Sequence, residues 1–121
     1  MAEPTYTHGR MVWRELMTTD VERARAFYGE LFNWKIDAGM DMGPAGTYFI
    51  AKLGETMVAG LMKAPQEMGM SAWISVASVA DVDATAVAAK ENGGKVINAP
   101  TTMPTVGRYA TIADADGAVL S

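Results

Sequence analysis

The stretches "TTDVERARAFYGELFNWKI" (residues 18–36) and "VADVDATAVAAKENGGKVI" (residues 79–97) decide the fold, because the second repeats the plan of the first. Superposing Asp20-Val21 on Asp81-Val82 gives an offset of 61 residues, about half of the 121-residue chain. In the first copy Thr19 and Glu22 fit an S/T-x-x-E capping box, and Val21, Ala24, Phe27, Tyr28 and Leu31 recur at helical spacing. That pattern predicts a helix with one apolar stripe lying on a sheet. In the second copy Asp81 is a good N-cap, and a thinner stripe of Val82, Thr85, Ala86 and Ala89 runs until Gly93-Gly94 breaks it.

A strand-like run precedes each helix and three follow it. After the first helix come "NWKIDAG", "GTYFIAKLG" and "ETMVAGLMKA"; after the second come "KVINAP", "GRYATIADA" and "GAVLS". Each half therefore reads β-α-β-β-β, with one module over about residues 8–63, a connector "APQEMGM" at 64–70, and a second module over about 71–121. Half of the residues are apolar, enough for one core, so a single domain over residues 1–121 is expected. On the opening strand the two-residue period places Trp13, Glu15 and Met17 on one face, with Val12 and Leu16 on the helix side.

Composition narrows the function classes. A net charge of −4, with ten scattered Lys and Arg residues, supplies no basic stripe for phosphates, so no nucleic-acid partner is expected. No apolar run approaches the roughly 20 residues that span a bilayer. "MAEPTYTHGR" at the start lacks the order of a signal peptide. The expectation is a soluble, cytoplasmic protein with no membrane partner. Zero cysteines remove disulfides, thiolate metal sites and cysteine nucleophiles. Walker, dinucleotide-binding, G-x-S-x-G and H-E-x-x-H motifs are lacking, and the acidic pair Asp114 and Asp116 reads as a turn, not a calcium loop.

The paired β-α-β-β-β halves resemble the vicinal oxygen chelate superfamily, which includes glyoxalase I, bleomycin resistance proteins and extradiol dioxygenases. So do the run Asp20, Ala24, Phe27, Tyr28, Leu31, Phe32, Trp34 and the closing D-x-D-G. The resemblance runs from about His8 to Ser121. It implies an α+β fold in which the two modules form an incompletely closed, eight-stranded, barrel-like cleft with the helices outside. Trp13, Glu15 and Met17 then face the cleft.

The same resemblance implies metal-ligand positions on the first and near the last strand of each module. Counted through Asp20 the first falls on Trp13, and the second lies near Gly60 or Leu61. Counted through Asn92-Gly93-Gly94 the third is Ile74, or Trp73 after a slip of one residue, and from "DADG" the fourth is Ser121. None is an imidazole or a carboxylate, so neither a metal nor another cofactor is expected. The sole histidine, His8, precedes the strand and reads as a surface or edge residue. It cannot complete a two-His-one-carboxylate set within one chain, although Glu15 lies close to the expected site and a dimer could contribute groups.

Glu15 is the candidate catalytic or anchoring group. Flanked by Trp13 and Met17 it would be partly desolvated, with a raised pKa suited to a general base or to a cationic or hydroxylated ligand. Its alternatives are a salt bridge to an arginine, such as Arg14 of a partner chain or Arg108, or an exposed strand end. Trp13 and Trp73 could stack on a planar ligand or could instead fill the space of missing metal ligands or a dimer seam. Tyr48, Met57 and Leu61 complete the expected ligand-binding set. Phe32 and Trp34 read as core at the helix end. Ten methionines, with Met40, Met42, Met68 and Met70 in loops, suit either an adaptable apolar surface or irregular core gaps.

The leading reading is a metal-free small-molecule binding protein, similar to bleomycin resistance proteins, that holds an apolar, aromatic or cationic ligand in the cleft. The alternative is a lyase, isomerase or dioxygenase of the same superfamily that uses Glu15 as base or metal ligand. A third reading, a subunit that mainly offers an interaction surface, predicts a cleft filled by its own side chains. A homodimer is expected from the resemblance and from the apolar surface left to cover.

Overall fold

The computed structural model describes residues 7–121 of the chain. Nine strands and two helices follow in the order β1 (Met11–Thr18), α1 (Val21–Phe32), β2 (Lys35–Ile36), β3 (Met40–Asp41), β4 (Thr47–Leu53), β5 (Thr56–Lys63), β6 (Ala72–Ala77), α2 (Val82–Glu91), β7 (Lys95–Met103), β8 (Gly107–Ala113) and β9 (Val119–Leu120). The fold is α+β, and the strands form two open sheets rather than one eight-stranded sheet. One sheet runs β2-β4-β5-β1-β6 with β3 added against β4, and the other runs β7-β8-β9. Two backbone bonds bring the sheets together: Ala77 N–H donates to the Ser121 carbonyl at 2.8 Å and Ser121 N–H to the Ser75 carbonyl at 3.1 Å.

β1 is the hub. It runs parallel to β5, with Leu16 opposite Leu61, and antiparallel to β6, with Leu16 opposite Trp73. Its alternation separates two cores. Leu16 packs with Ala24, Ala51, Ala59 and Leu61 beneath α1, whereas Met17 packs with Met42, Tyr48, Met62, Ile74 and Met103 on the other face. Burying a side chain such as Met17 or Leu61 completely contributes about 2 kcal/mol. Val12 is exposed instead of packing toward the helix.

The repeated Asp-Val pair marks both helix starts. The Asp20 carboxylate accepts from the Arg23 N–H at 3.1 Å, and the Asp81 carboxylate accepts from the Ala84 N–H at 3.0 Å. The capping residue of α1 is therefore Asp20, one place later than the Thr19 box predicted. Glu22 does not reach back: Arg25 donates to both of its carboxylate oxygens at 3.0 Å and also to the Ile36 carbonyl at 2.7 Å, which ties α1 to β2. Phe32 differs from expectation too. It is 48% exposed, whereas Trp34 is half-buried and packs against the core beneath α1.

Asp20→Ala is expected to lower unfolding stability by roughly 1 kcal/mol, the usual loss for an N-cap, while Thr19→Ala changes it by under about 0.5 kcal/mol. Urea denaturation of the two variants checks this, and equal losses would overturn the assignment of the cap.

Candidate functional site

The face of the larger sheet away from α1 holds one buried charged side chain among apolar ones. Glu15 is 6% exposed and lies across from Gly60 on β5 and Ile74 on β6. A chain of hydrogen bonds reaches it: Trp13 Nε1–H donates to Tyr48 Oη at 2.9 Å, and Tyr48 Oη–H donates to Glu15 Oε1 at 2.8 Å. Burial pushes the Glu15 pKa above the ordinary carboxylate value, and the Tyr48 hydrogen bond opposes that shift. The Tyr48 phenol is pushed upward as well, first by burial and then by the Glu15 charge, so it remains a protonated donor.

Gly60 makes this arrangement possible. A Cβ on residue 60 would overlap the Tyr48 hydroxyl, so the ring can lie over β5 only because that position has no side chain. The opposite wall comes from the smaller sheet. There Tyr109 Oη accepts from Asn98 Nδ2 at 2.7 Å, and its pKa is raised chiefly by burial, with a further push from the Glu15 charge. Thr111, fully buried, has its hydroxyl 2.8 Å from that of Ser121.

Trp13, Glu15, Met17 and Tyr48 all lie on or beside this face, in hydrogen-bonded or packed contact through Tyr48, Met62 and Ile74. Three others do not join them. Leu61 belongs to the core beneath α1, and Trp73 sits on that same outer side, where its Nε1–H donates to Tyr28 Oη of α1 at 3.0 Å. Met57 is 58% exposed near a register shift between β4 and β5. The correction has one cause: a one-residue slip exchanges faces, so Gly60, Met62 and Ile74 take the inward places expected of Leu61 and Trp73. Met103 and Tyr109 were not anticipated in the site, and Met42 was read only as a loop methionine suited to an adaptable surface or a core gap. Tyr109 alternates with Thr111 and Ala113 along β8, which was the available signal.

The positions that would hold a metal in the superfamily carry an indole N–H, no side chain, a butyl group and a hydroxyl, at Trp13, Gly60, Ile74 and Ser121. That donor set does not fit a transition metal, which needs convergent imidazole or carboxylate ligands. Among the described residues no three His, Cys, Asp or Glu side chains converge. His8 lies at the edge, where Nδ1 accepts from the Ala80 N–H at 3.1 Å. Asp114 is a turn residue: its carboxylate accepts from the N–H groups of Asp116 and Ala118, both at 2.9 Å. Among the described residues no helix is long and apolar enough to cross a membrane.

Comparison with known proteins places this geometry in a family. A protein of Mycobacterium bovis bearing the name glyoxylase CFP32 is 35% identical over 113 residues, covering 93% of this chain and 43% of its own length. The anthracycline biosynthesis protein DnrV of Streptomyces peucetius is 34% identical over 131 residues, covering 99% of this chain and 43% of its own length. A glyoxylase-like domain-containing protein of Didymella fabae is 32% identical over 99 residues, with 75% of this chain and 73% of that protein covered. The chain thus spans less than half the length of the first two relatives. Residues 10–121 match the family model described as the Glyoxalase/Bleomycin resistance protein/Dioxygenase superfamily, and the chain belongs to that superfamily.

Proposed function

We propose that the face bearing Glu15 binds an apolar, aromatic or cationic small molecule without a metal. The observation that carries this reading is the Trp13–Tyr48–Glu15 chain, a single carboxylate set against a buried, methionine-rich cluster. Tyr48 occupies one oxygen of the carboxylate, and the other is available to an amine or hydroxyl of a ligand. Met42 and Met103 pack in the same buried cluster as Met17 and Tyr48, and their flexible thioethers can shift to admit ligands of different shape. The likeness to an anthracycline biosynthesis protein adds weight to a planar polycyclic ligand. This reading includes a single domain of two modules, a cytoplasmic setting and self-association as a homodimer.

A second reading, an enzyme in which Glu15 moves a proton, is supported by the raised pKa of that carboxylate. Under it Glu15→Gln abolishes turnover of a substrate while the fold is retained, and full activity of the variant rules it out. A third, the subunit that mainly offers an interaction surface, is supported by the packing of Met17, Met42, Tyr48, Met62, Ile74 and Met103 into the cleft.

A panel of planar aromatic amines and their neutral analogues, titrated against tryptophan emission, tests the binding reading. Saturable quenching is expected, and Trp13→Phe should remove most of it. Glu15→Gln should weaken the amines roughly tenfold and the neutral analogues little. A flat response across the panel would reject the proposal.

The burial of Glu15 also has a pH signature. Its folded-state pKa is raised above 4.5, so its contribution to stability is fully present below that unfolded value and is lost as pH rises through the folded value. Glu15→Gln keeps the shape without the charge. Thermal melts should therefore place the variant above the wild type at about pH 8, with the gap closing near about pH 4. A gap that widens on acidification would mean that the carboxylate is stabilised in the fold.

A further inference from the structure

The side of the larger sheet that carries α1 holds a small cleft of its own. It lies between one stripe of α1 and the ends of β1 and β6, and its volume is about 310 Å³. That is the lower end of the range of small-molecule pockets, about 300–1,000 Å³. Asp20, Arg23, Ala24, Phe27 and Tyr28 recur at three- and four-residue steps and form its helix side. Leu16 and Thr18, two apart on β1, and Ser71, just before β6, form the other. Room is left because position 24 bears only a methyl group and position 71 only a hydroxymethyl group.

Apolar walls here meet hydrogen-bonding groups whose capacity is unspent. Leu16, Ala24 and the rings of Phe27 and Tyr28, 5.0 Å apart between centroids, supply the walls. The hydroxyls of Thr18, Thr19 and Ser71 approach one another only to 3.3–3.4 Å, beyond the length of about 2.8 Å of a good O–H···O bond. Tyr28 Oη accepts from Trp73 Nε1–H at 3.0 Å, and among the described residues its own proton meets no acceptor. The Arg23 guanidinium takes part in neither of the ion pairs among the described residues. The Asp20 carboxylate uses one oxygen on the Arg23 N–H and keeps the other. The Ala24 N–H is spent on the Asp20 carbonyl at 3.2 Å, so the free donors of the cleft are side chains and not the end of the helix.

We propose that this outer cleft binds one pyranose ring of a neutral sugar. Charge and hydrogen-bonding capacity select that class. The opposite charges of Arg23 and Asp20 cancel at the rim, where an anion would meet the Asp20 carboxylate and an amine the Arg23 guanidinium. A purely apolar ring would leave the hydroxyls of the cleft without partners. A sugar hydroxyl both donates and accepts, so neighbouring ones match the Thr19, Ser71 and Tyr28 hydroxyls and the second Asp20 oxygen together. The C–H face of the ring then lies on Phe27, which is 58% exposed. The cleft is on the Leu16 side of the sheet and Glu15 is on the Met17 side, so the two sites stand or fall independently.

Titration of the isotope-labelled chain with glucose, galactose and mannose and with their methyl glycosides, followed by two-dimensional amide NMR, tests this. At least one pyranose should shift the Thr19, Ala24 and Ser71 amides saturably, with a dissociation constant on the order of 1–10 mM. Ser71→Leu fills the cleft from an exposed position and should abolish those shifts. Tyr28→Phe removes a donor and should weaken binding about threefold to tenfold. Glu15→Gln should leave it unchanged. Amide dispersion shows whether Ser71→Leu is folded, and if it is not, Tyr28→Phe decides. Each free sugar against its methyl glycoside distinguishes a free ligand from a sugar carried on a larger molecule, and either preference supports the proposal. No saturable shift up to about 100 mM, shifts that persist in folded Ser71→Leu, or binding indifferent to Tyr28→Phe would each overturn it. So would cyclohexanol binding as tightly, the mark of an apolar hole, or benzoate binding more tightly, the mark of an oxyanion site.

Discussion

One strand, hydrogen-bonded on both sides, sets the contents of both faces of the larger sheet. β1 is held parallel by β5 and antiparallel by β6, so its register cannot slide without breaking two ladders at once. Leu16 then goes to the helix side, and Glu15 and Met17 to the opposite side. The carboxylate cannot turn outward to water, and the fold must provide it with a donor. Tyr48 is that donor, and the absence of a side chain at Gly60 lets it arrive. A local period of two thus dictates a contact between residues 33 apart in sequence.

Superfamily membership, the α+β class and both helices could be read from the sequence because they rest on short-range signals. The Asp-Val repeat, the 3.6-residue stripe and the Gly-Gly stop each act within a few residues. Trp13, Glu15 and Met17 could be placed for the same reason, since β1 alternates from Trp13 onward, past the irregularity between Met11 and Trp13. Leu61 and Trp73 were misplaced because each belongs to a strand whose phase is fixed only by its neighbour. On β5 the register shifts near Met57, and the count from the strand start no longer gives the face. Tyr48 was placed among the ligand-binding residues from its strand. Its role as the donor to Glu15 was not legible, since that depends on Gly60, a residue notable for what it lacks.

The arrangement of the two sheets was legible only in outline. The smaller sheet meets the larger through the end of β9, where Ser121 bonds to Ser75 and Ala77. Such contacts depend on how far each strand extends, and composition does not encode that. The methionines show the complementary case. Met17, Met42, Met62 and Met103 converge from four separate segments, and a thioether chain tolerates that irregular meeting better than a branched side chain would.

The glycine under Tyr48 also bears on how this site could have changed over time. Any side chain introduced at position 60 must first displace the tyrosine, and a displaced tyrosine leaves Glu15 buried without its donor. A carboxylate or imidazole at that position is therefore not one neutral substitution away. The hydroxyl network and a coordinating set compete for the same few cubic ångströms, and passage between them runs through an intermediate that is worse than either. Gly60 and Tyr48 are thus held as a pair by packing.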